Sequence, residues 1–226
     1  GANAGDGAGA CEGIRRVKAA GMKCRYSLMK AYVLSPKELA EEAKMLADCG
    51  LDEITIMDSA GTMMPHETEA YTKELVAAVD IPVAFHGHNN LGLSVANAIA
   101  AAEAGATVFD CGLLGMARSA GNCATELLVA TFQRLGYFKD IDLYKLLAFL
   151  DGELIPAMEE YNYHVAVKPF DLILGLAGCH SSFTKRFQNI ADEMGVPLYQ
   201  LIVEVSKRDQ KAPSEELIRQ IAADLV

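Results

Sequence analysis

The sequence predicts an α/β fold of parallel β-α units followed by a helical appendage, and three observations carry that prediction. Short apolar runs of strand length begin near residues 24, 53, 81 and 107, each followed by a helix-like segment. That repeat of roughly 25 to 30 residues is the period of a βα unit. Polar, glycine-rich segments follow the strands. In a (β/α) barrel and in a doubly wound sheet alike, such segments build the active site at the C-terminal strand ends. From Lys168 to Val226, by contrast, no strand pattern is evident and the chain reads as four short helices.

In order, Gly1 to Ala10 reads as a glycine-rich loop feeding a helix from about Ala8 to Ala20, with Gly21 as its stop. Cys24 to Lys30 is the first strand. Ser35-Pro36-Lys37-Glu38 opens the next helix with Ser at N-cap, Pro at N1 and Glu at N3. Glu53 to Asp58 is a strand, followed by the loop Ser59-Ala60-Gly61-Thr62 and a helix over about Pro65 to Val79. Ile81 to Phe85 is a short apolar run suited to a buried parallel strand. Thr107 to Cys111 is the last strand, and a helix over about Asn122 to Leu135 follows its loop. Asp142 to Tyr161 is helical, with Pro156 as a kink or break. The tail helices cover about Phe170 to Ala177, Ser181 to Met194, Pro197 to Lys207 and Pro213 to Leu225.

With 226 residues, 51% of them apolar, the chain can bury a sizeable core. The net charge of −10 argues against nonspecific nucleic-acid binding. No apolar run is long enough to span a bilayer and no signal peptide is visible. The six cysteines show no CxxC spacing and read as reduced, mostly buried thiols of a cytoplasmic protein.

The chemistry concentrates in Phe85-His86-Gly87-His88-Asn89-Asn90-Leu91-Gly92, where a strand ends and a helix begins. Alternation points residues i and i+2 the same way, so His86 and His88 can present both imidazoles to one point. Neutral imidazole is a frequent ligand of borderline divalent metals. Taken alone, a His-x-His pair is more often two polar residues bonded to their neighbours.

Four segments change those odds: Met57-Asp58-Ser59-Ala60-Gly61, the His-x-His stretch, Gly115-Met116-Ala117-Arg118-Ser119-Ala120-Gly121-Asn122, and Leu174-Gly175-Leu176-Ala177-Gly178-Cys179-His180-Ser181-Ser182-Phe183. In order and spacing they resemble the metal-dependent aldolases and lyases built on a TIM barrel, the DRE-TIM metallolyases, and within them the 4-hydroxy-2-oxovalerate aldolases. The resemblance implies the C-terminal half of a (β/α) TIM-type barrel, about four βα units over residues 1–140, and a helical docking domain over 141–226. It implies cleavage of a 4-hydroxy-2-oxo acid to pyruvate and an aldehyde through a metal-stabilised pyruvate enolate. The metal is commonly Mn²⁺, with Mg²⁺ or Co²⁺ as alternatives. It also implies an acylating aldehyde dehydrogenase partner and an oligomeric assembly. The wider superfamily adds two other readings: an acyl-CoA-dependent lyase or synthase, and a noncatalytic docking subunit.

Residue by residue, the resemblance makes His86 and His88 metal ligands, Asn122 an occasional ligand or a residue just behind the ligands, and Ser59 and His86 substrate contacts. Asn122 also fits a helix N-cap. Asp58 reads equally as an orienting carboxylate or a plain strand-end one. His180 stands where the family has a tyrosine reaching toward the substrate. It reads as an acid or base, the catalytic candidate, as the mark of a changed aldehyde preference, or as an inert surface histidine. Lys30 reads as a solvated strand-end lysine rather than a Schiff-base former, and His66 and His164 carry no role. The family's opening Arg-Asp-Gly strand, with its carboxylate ligand, arginine and histidine, has no counterpart here. Aligned on the family, the chain begins near the end of the fourth strand, so a fragment, or a barrel completed by another chain, is expected. Asp6 and Asp110 are not expected to replace the missing carboxylate.

Overall fold

The computed structural model describes residues 1–161 and 169–226. His164 lies outside them. Five parallel strands form one sheet: β1 Ala2–Asn3, β2 Arg25–Met29, β3 Glu53–Asp58, β4 Val83–Gly87 and β5 Val108–Asp110. Their spatial order is β1-β2-β3-β4-β5, identical to the chain order. That decides between the two architectures the spacing allows. A doubly wound sheet reverses its strand order at a switch point, whereas sequential parallel neighbours are barrel topology. The two-residue β1 is an addition to the sequence reading, which treats this segment as loop. It pairs Ala2 with Leu28 and Asn3 with Met29, too few residues for an alternation pattern to register.

Helices α1 Cys11–Ala19, α2 Pro36–Asp48, α3 Pro65–Ala78, α4 Ser94–Glu103 and α5 Thr125–Arg134 follow the strands in turn. The predicted capping box of α2 is present: the Ser35 hydroxyl accepts from Glu38 N and the Glu38 carboxylate accepts from Ser35 N at 2.8 Å. Strand alternation sends Tyr26, Leu28, Ile54, Ile56, Val83 and Phe85 toward these helices, where they form one buried core with Leu39, Leu46 and Leu75. Each such side chain contributes about 1.5–3 kcal/mol by leaving water.

Beyond α5, α6 Leu143–Phe149 runs into a π-helical turn over Leu150–Leu154 and then α7 Ile155–Glu159. Pro156 has no N–H for its turn and crowds the preceding carbonyls, so the helix widens just before it, with Ile155 N bonding back to Leu150 O. The tail helices are α8 Pro169–Ala177, α9 Thr184–Met194, α10 Leu198–Ser206 and α11 Glu215–Asp224. They enclose a second core of Leu174, Phe187, Ile190, Leu201, Val205 and Ile218.

Two expectations fail here. Cys11 and Cys49 form a disulfide, with Cα atoms 5.5 Å apart. Sequence spacing missed it because the pair meets only when α1 packs beside the end of α2, 38 residues away. Cys24, Cys111, Cys123 and Cys179 are free thiols. Lys30 is not solvated either. It is 5% exposed, sits in the left-handed region at φ 55°, and donates its ammonium to the Lys211 carbonyl of the tail. Its ammonium also lies 4.9 Å from the Phe183 ring centroid. With the Lys211–Asp6 ion pair at 2.8 Å, these contacts hold the tail to the strand-end side of the sheet.

Candidate metal and substrate site

The site is built around the end of β4, whose five residues are all buried. His86 points to the concave face of the sheet, opposite Asp110 in the β4–β5 register. Its Nδ1 lies 3.0 Å from Asp110 Oδ2. A carboxylate on one imidazole nitrogen fixes the ring and leaves Nε2 for a ligand. Bonding to His86 holds the Asp110 carboxyl below its usual range. Asp110 is therefore a member of the site that the sequence reading set aside; only the strand register reveals it.

His88 follows one step beyond β4, its ring 5.3 Å from that of His86, centroid to centroid, and inclined by 71°. Strand alternation thus brings the two imidazoles together. Burial pushes His88 down to about 3, with His86, Arg118 and His180 adding to the shift, so the ring is neutral as a metal ligand requires. Its backbone bridges Asn122 in antiparallel fashion. Asn122 is not the helix N-cap: α5 begins at Thr125, and Asn122 is held in extended backbone by that bridge and by its own N–H on Gly115 O at 2.9 Å.

Two buried side-chain atoms here have no hydrogen-bond partner among the described residues, His88 Nδ1 and Asn122 Oδ1. Native interiors rarely leave such atoms unpaired, and an unbound ion is one of the recognised reasons. The donor set fits a divalent cation of borderline softness: two imidazoles and an amide oxygen. Among the described residues no group of three His, Cys, Asp or Glu is placed to hold a metal ion.

The loops around this pair are shaped by close backbone approaches. Gly61, at φ +62°, lets the loop after β3 pass directly under His88 and Asn90. A Cβ there would stand 2.6 Å from Asn90 N. Asp58 organises the same loop, accepting from Thr62 N and Met63 N at 3.0 Å each. Burial nevertheless raises its carboxyl to about 6. Among the described residues no hydrogen bond joins its carboxylate to either histidine side chain, and its partners are the loop N–H groups. Ser59 is 4% exposed, and its Oγ accepts from Lys30 N at 2.9 Å. That contact satisfies the left-handed Lys30 backbone and leaves the Ser59 hydroxyl hydrogen to donate.

His180 arrives from the tail. It is not a surface residue, being 5% exposed. Its Nε2 lies 2.6 Å from an Arg118 guanidinium nitrogen and its Nδ1 2.8 Å from Ser182 Oγ. Burial, with Arg118 and Lys30 nearby, pushes it down to about 4. His180 is therefore neutral near pH 7, its Nε2 accepting from Arg118. Arg118 lies in the Gly115 to Asn122 segment, but nothing in the sequence points it at His180. The exposed His66 sits in the first turn of α3, apart from these groups.

Comparison with known proteins agrees with this architecture. A family model described as HMGL-like matches residues 8–151, and one described as a DmpG-like communication domain matches residues 165–226. A 4-hydroxy-2-oxovalerate aldolase of Carboxydothermus hydrogenoformans is 35% identical over 94% of this chain and 62% of that protein. One of Pectobacterium atrosepticum is 38% identical over 94% of this chain and 61% of that protein. The chain thus spans about three fifths of the length of these curated relatives. Among solved structures, the carboxyl transferase domain of Rhizobium etli pyruvate carboxylase superposes with a TM-score of 0.71 at 16% identity, over 96% of this chain and 40% of that one. The HMG-CoA lyase of Bacillus subtilis gives 0.61 at 22%, over 69% and 55%. At these identities the structural likeness speaks for the fold.

Proposed function

The chain belongs to the HMGL-like family and carries a DmpG-like communication domain, and from that premise we propose that it works in a metal-dependent aldolase that cleaves 4-hydroxy-2-oxo acids, such as 4-hydroxy-2-oxovalerate, to pyruvate and an aldehyde. The observation that carries this reading is the pair of orphaned buried atoms, His88 Nδ1 and Asn122 Oδ1, beside a His86 ring already fixed by Asp110. These residues would hold a divalent cation, Mn²⁺ first, with Asp110 positioning His86. The cation supplies Lewis acidity toward the 2-oxo acid.

The chain's own groups have separable tasks in this proposal. Ser59 donates its hydroxyl hydrogen to the substrate carboxylate while Lys30 N holds its oxygen in place. His86 contacts the same end of the substrate. His180, neutral and buried, is the candidate group for moving the proton of the 4-hydroxyl. The tail is fastened to the strand ends through Lys30, Lys211 and Arg118, which brings His180 to the site. The two separate cores, one reaching Phe138 and the other beginning at Phe170, support a division between a barrel portion and a helical domain. The communication domain supports docking to an aldehyde dehydrogenase that receives the aldehyde.

The test is release of pyruvate from 4-hydroxy-2-oxovalerate with and without added Mn²⁺, for wild type, His86→Ala and His88→Ala. Metal-dependent release in the wild type and its loss in both variants is expected. Wild-type behaviour in both variants defeats the assignment. An acetyl-CoA-dependent condensation would instead favour the acyl-CoA reading.

A further inference from the structure

Arg118 occupies an unusual electrostatic position. It is exposed, at the mouth of the site, in a chain of net charge −10, yet among the described residues it makes no ion pair. Its hydrogen-bond partner is the neutral His180 ring at 2.6 Å. An imidazole is a weak substitute for the carboxylate that a guanidinium fork fits. Lys30, the second cation facing His180, likewise spends its ammonium on a carbonyl. Two cations thus flank a neutral ring; Asp209 and Asp6 act on Lys30, and Arg118 is left without a carboxylate partner among the described residues.

The loop that carries Arg118 is rigidly aimed. Gly115 and Gly121 both lie in the left-handed region, and Gly121 passes so close to the Gly115 carbonyl that a Cβ has no room. Ser119, also left-handed at φ 59°, is tied by its hydroxyl to Asn90 Nδ2 at 2.8 Å. Asn89 N bonds Gly121 O at 2.9 Å. The guanidinium is therefore presented from a loop fastened to the His-x-His segment itself.

Strand order then fixes the side of the site. Ser59 follows β3, the histidine pair ends β4, and Arg118 follows β5, and these three strands are neighbours in that order. A substrate held at β4 with its oxo-acid end toward Ser59 directs its far end toward Arg118. We infer that Arg118, positioned by His180, is an anion subsite that selects substrates bearing a second carboxylate on the aldehyde-derived half. The inference rests on the aldolase reading for the orientation of the substrate. It narrows the substrate class to 4-hydroxy-2-oxo diacids, with an aldehyde product that is itself an acid.

The experiment compares two unreactive ligands of equal length, 2-oxoglutarate and 2-oxovalerate, which share the 2-oxo acid end and differ in a terminal carboxylate against a methyl. Binding to the Mn²⁺-supplemented protein is measured by calorimetry. A charge-assisted contact predicts about 10- to 100-fold tighter binding of 2-oxoglutarate in the wild type. Arg118→Ala brings the two to near parity while leaving 2-oxovalerate unchanged, and Arg118→Lys restores part of the preference. Equal affinities in the wild type overturn the inference, and so does a preference that survives Arg118→Ala. A loss of the same size for both ligands overturns it too, since Arg118 would then hold the shared end. A preserved preference without pyruvate release from any 4-hydroxy-2-oxo acid counts against the aldolase reading and leaves the subsite standing.

Discussion

The two faces of the sheet differ in what they are made of and in what they do. The helix-facing layer is continuous and apolar, from Tyr26 and Leu28 through Ile54 and Ile56 to Val83 and Phe85, and it ends in a single buried carboxylate, Asp58. The concave layer carries Arg25, Ser27, Glu53, Thr55, Ala84 and Asp110 around a hollow of about 240 Å³, and ends in the histidine pair. A sheet buried on both faces reads as two apolar layers. Here one layer supplies folding energy and the other presents chemistry. Substitutions should separate the two faces.

The largest effect is expected at Phe85→Ala. Phe85 is 2% exposed, and removing it costs about 3–5 kcal/mol, seen as a lower urea midpoint. Next comes Asp58→Ala, which strands the buried N–H groups of Thr62 and Met63 and costs about 2–4 kcal/mol in the same measurement. Asp58 also gives the helix-facing layer a pH signature. Its folded carboxyl is raised to about 6 from 3.8, so its protonation favours the folded state. That contribution is fully present below pH 3.8 and is lost as pH rises toward 6, and Asp58→Asn should flatten that part of the stability profile.

On the concave side, His86→Ala and His88→Ala should abolish the rise in melting temperature that Mn²⁺ gives the wild type. The metal-free melting temperature should move little, because no apolar core residue is lost. If either variant keeps the metal-induced rise, the concave layer is not the metal face. The smallest effect is expected at Arg25→Ala. Its bidentate pair with Glu53, at 2.5 and 2.8 Å, has an Arg side chain 63% exposed and is worth about 0–1 kcal/mol. A loss much beyond that would mean the concave face bears structural load after all.

The sequence by itself determined the βα period, the capping box at Ser35, the apolar layer and the meeting of His86 with His88. All of these follow from local chemistry or from alternation along one strand. Its resemblance to a known family is matched by the HMGL-like and communication-domain findings. Tertiary structure decided what depends on neighbours distant in the chain. The strand order chose the barrel topology, and the β4–β5 register set Asp110 beside His86. The bridge to His88 took Asn122 away from the helix N-terminus, and the packing of α1 near the end of α2 joined Cys11 to Cys49. The descent of the tail buried Lys30 and His180 and set Arg118 against the His180 ring. Periodicity reports which face a residue takes; which residue stands opposite it is settled only when separate elements pack.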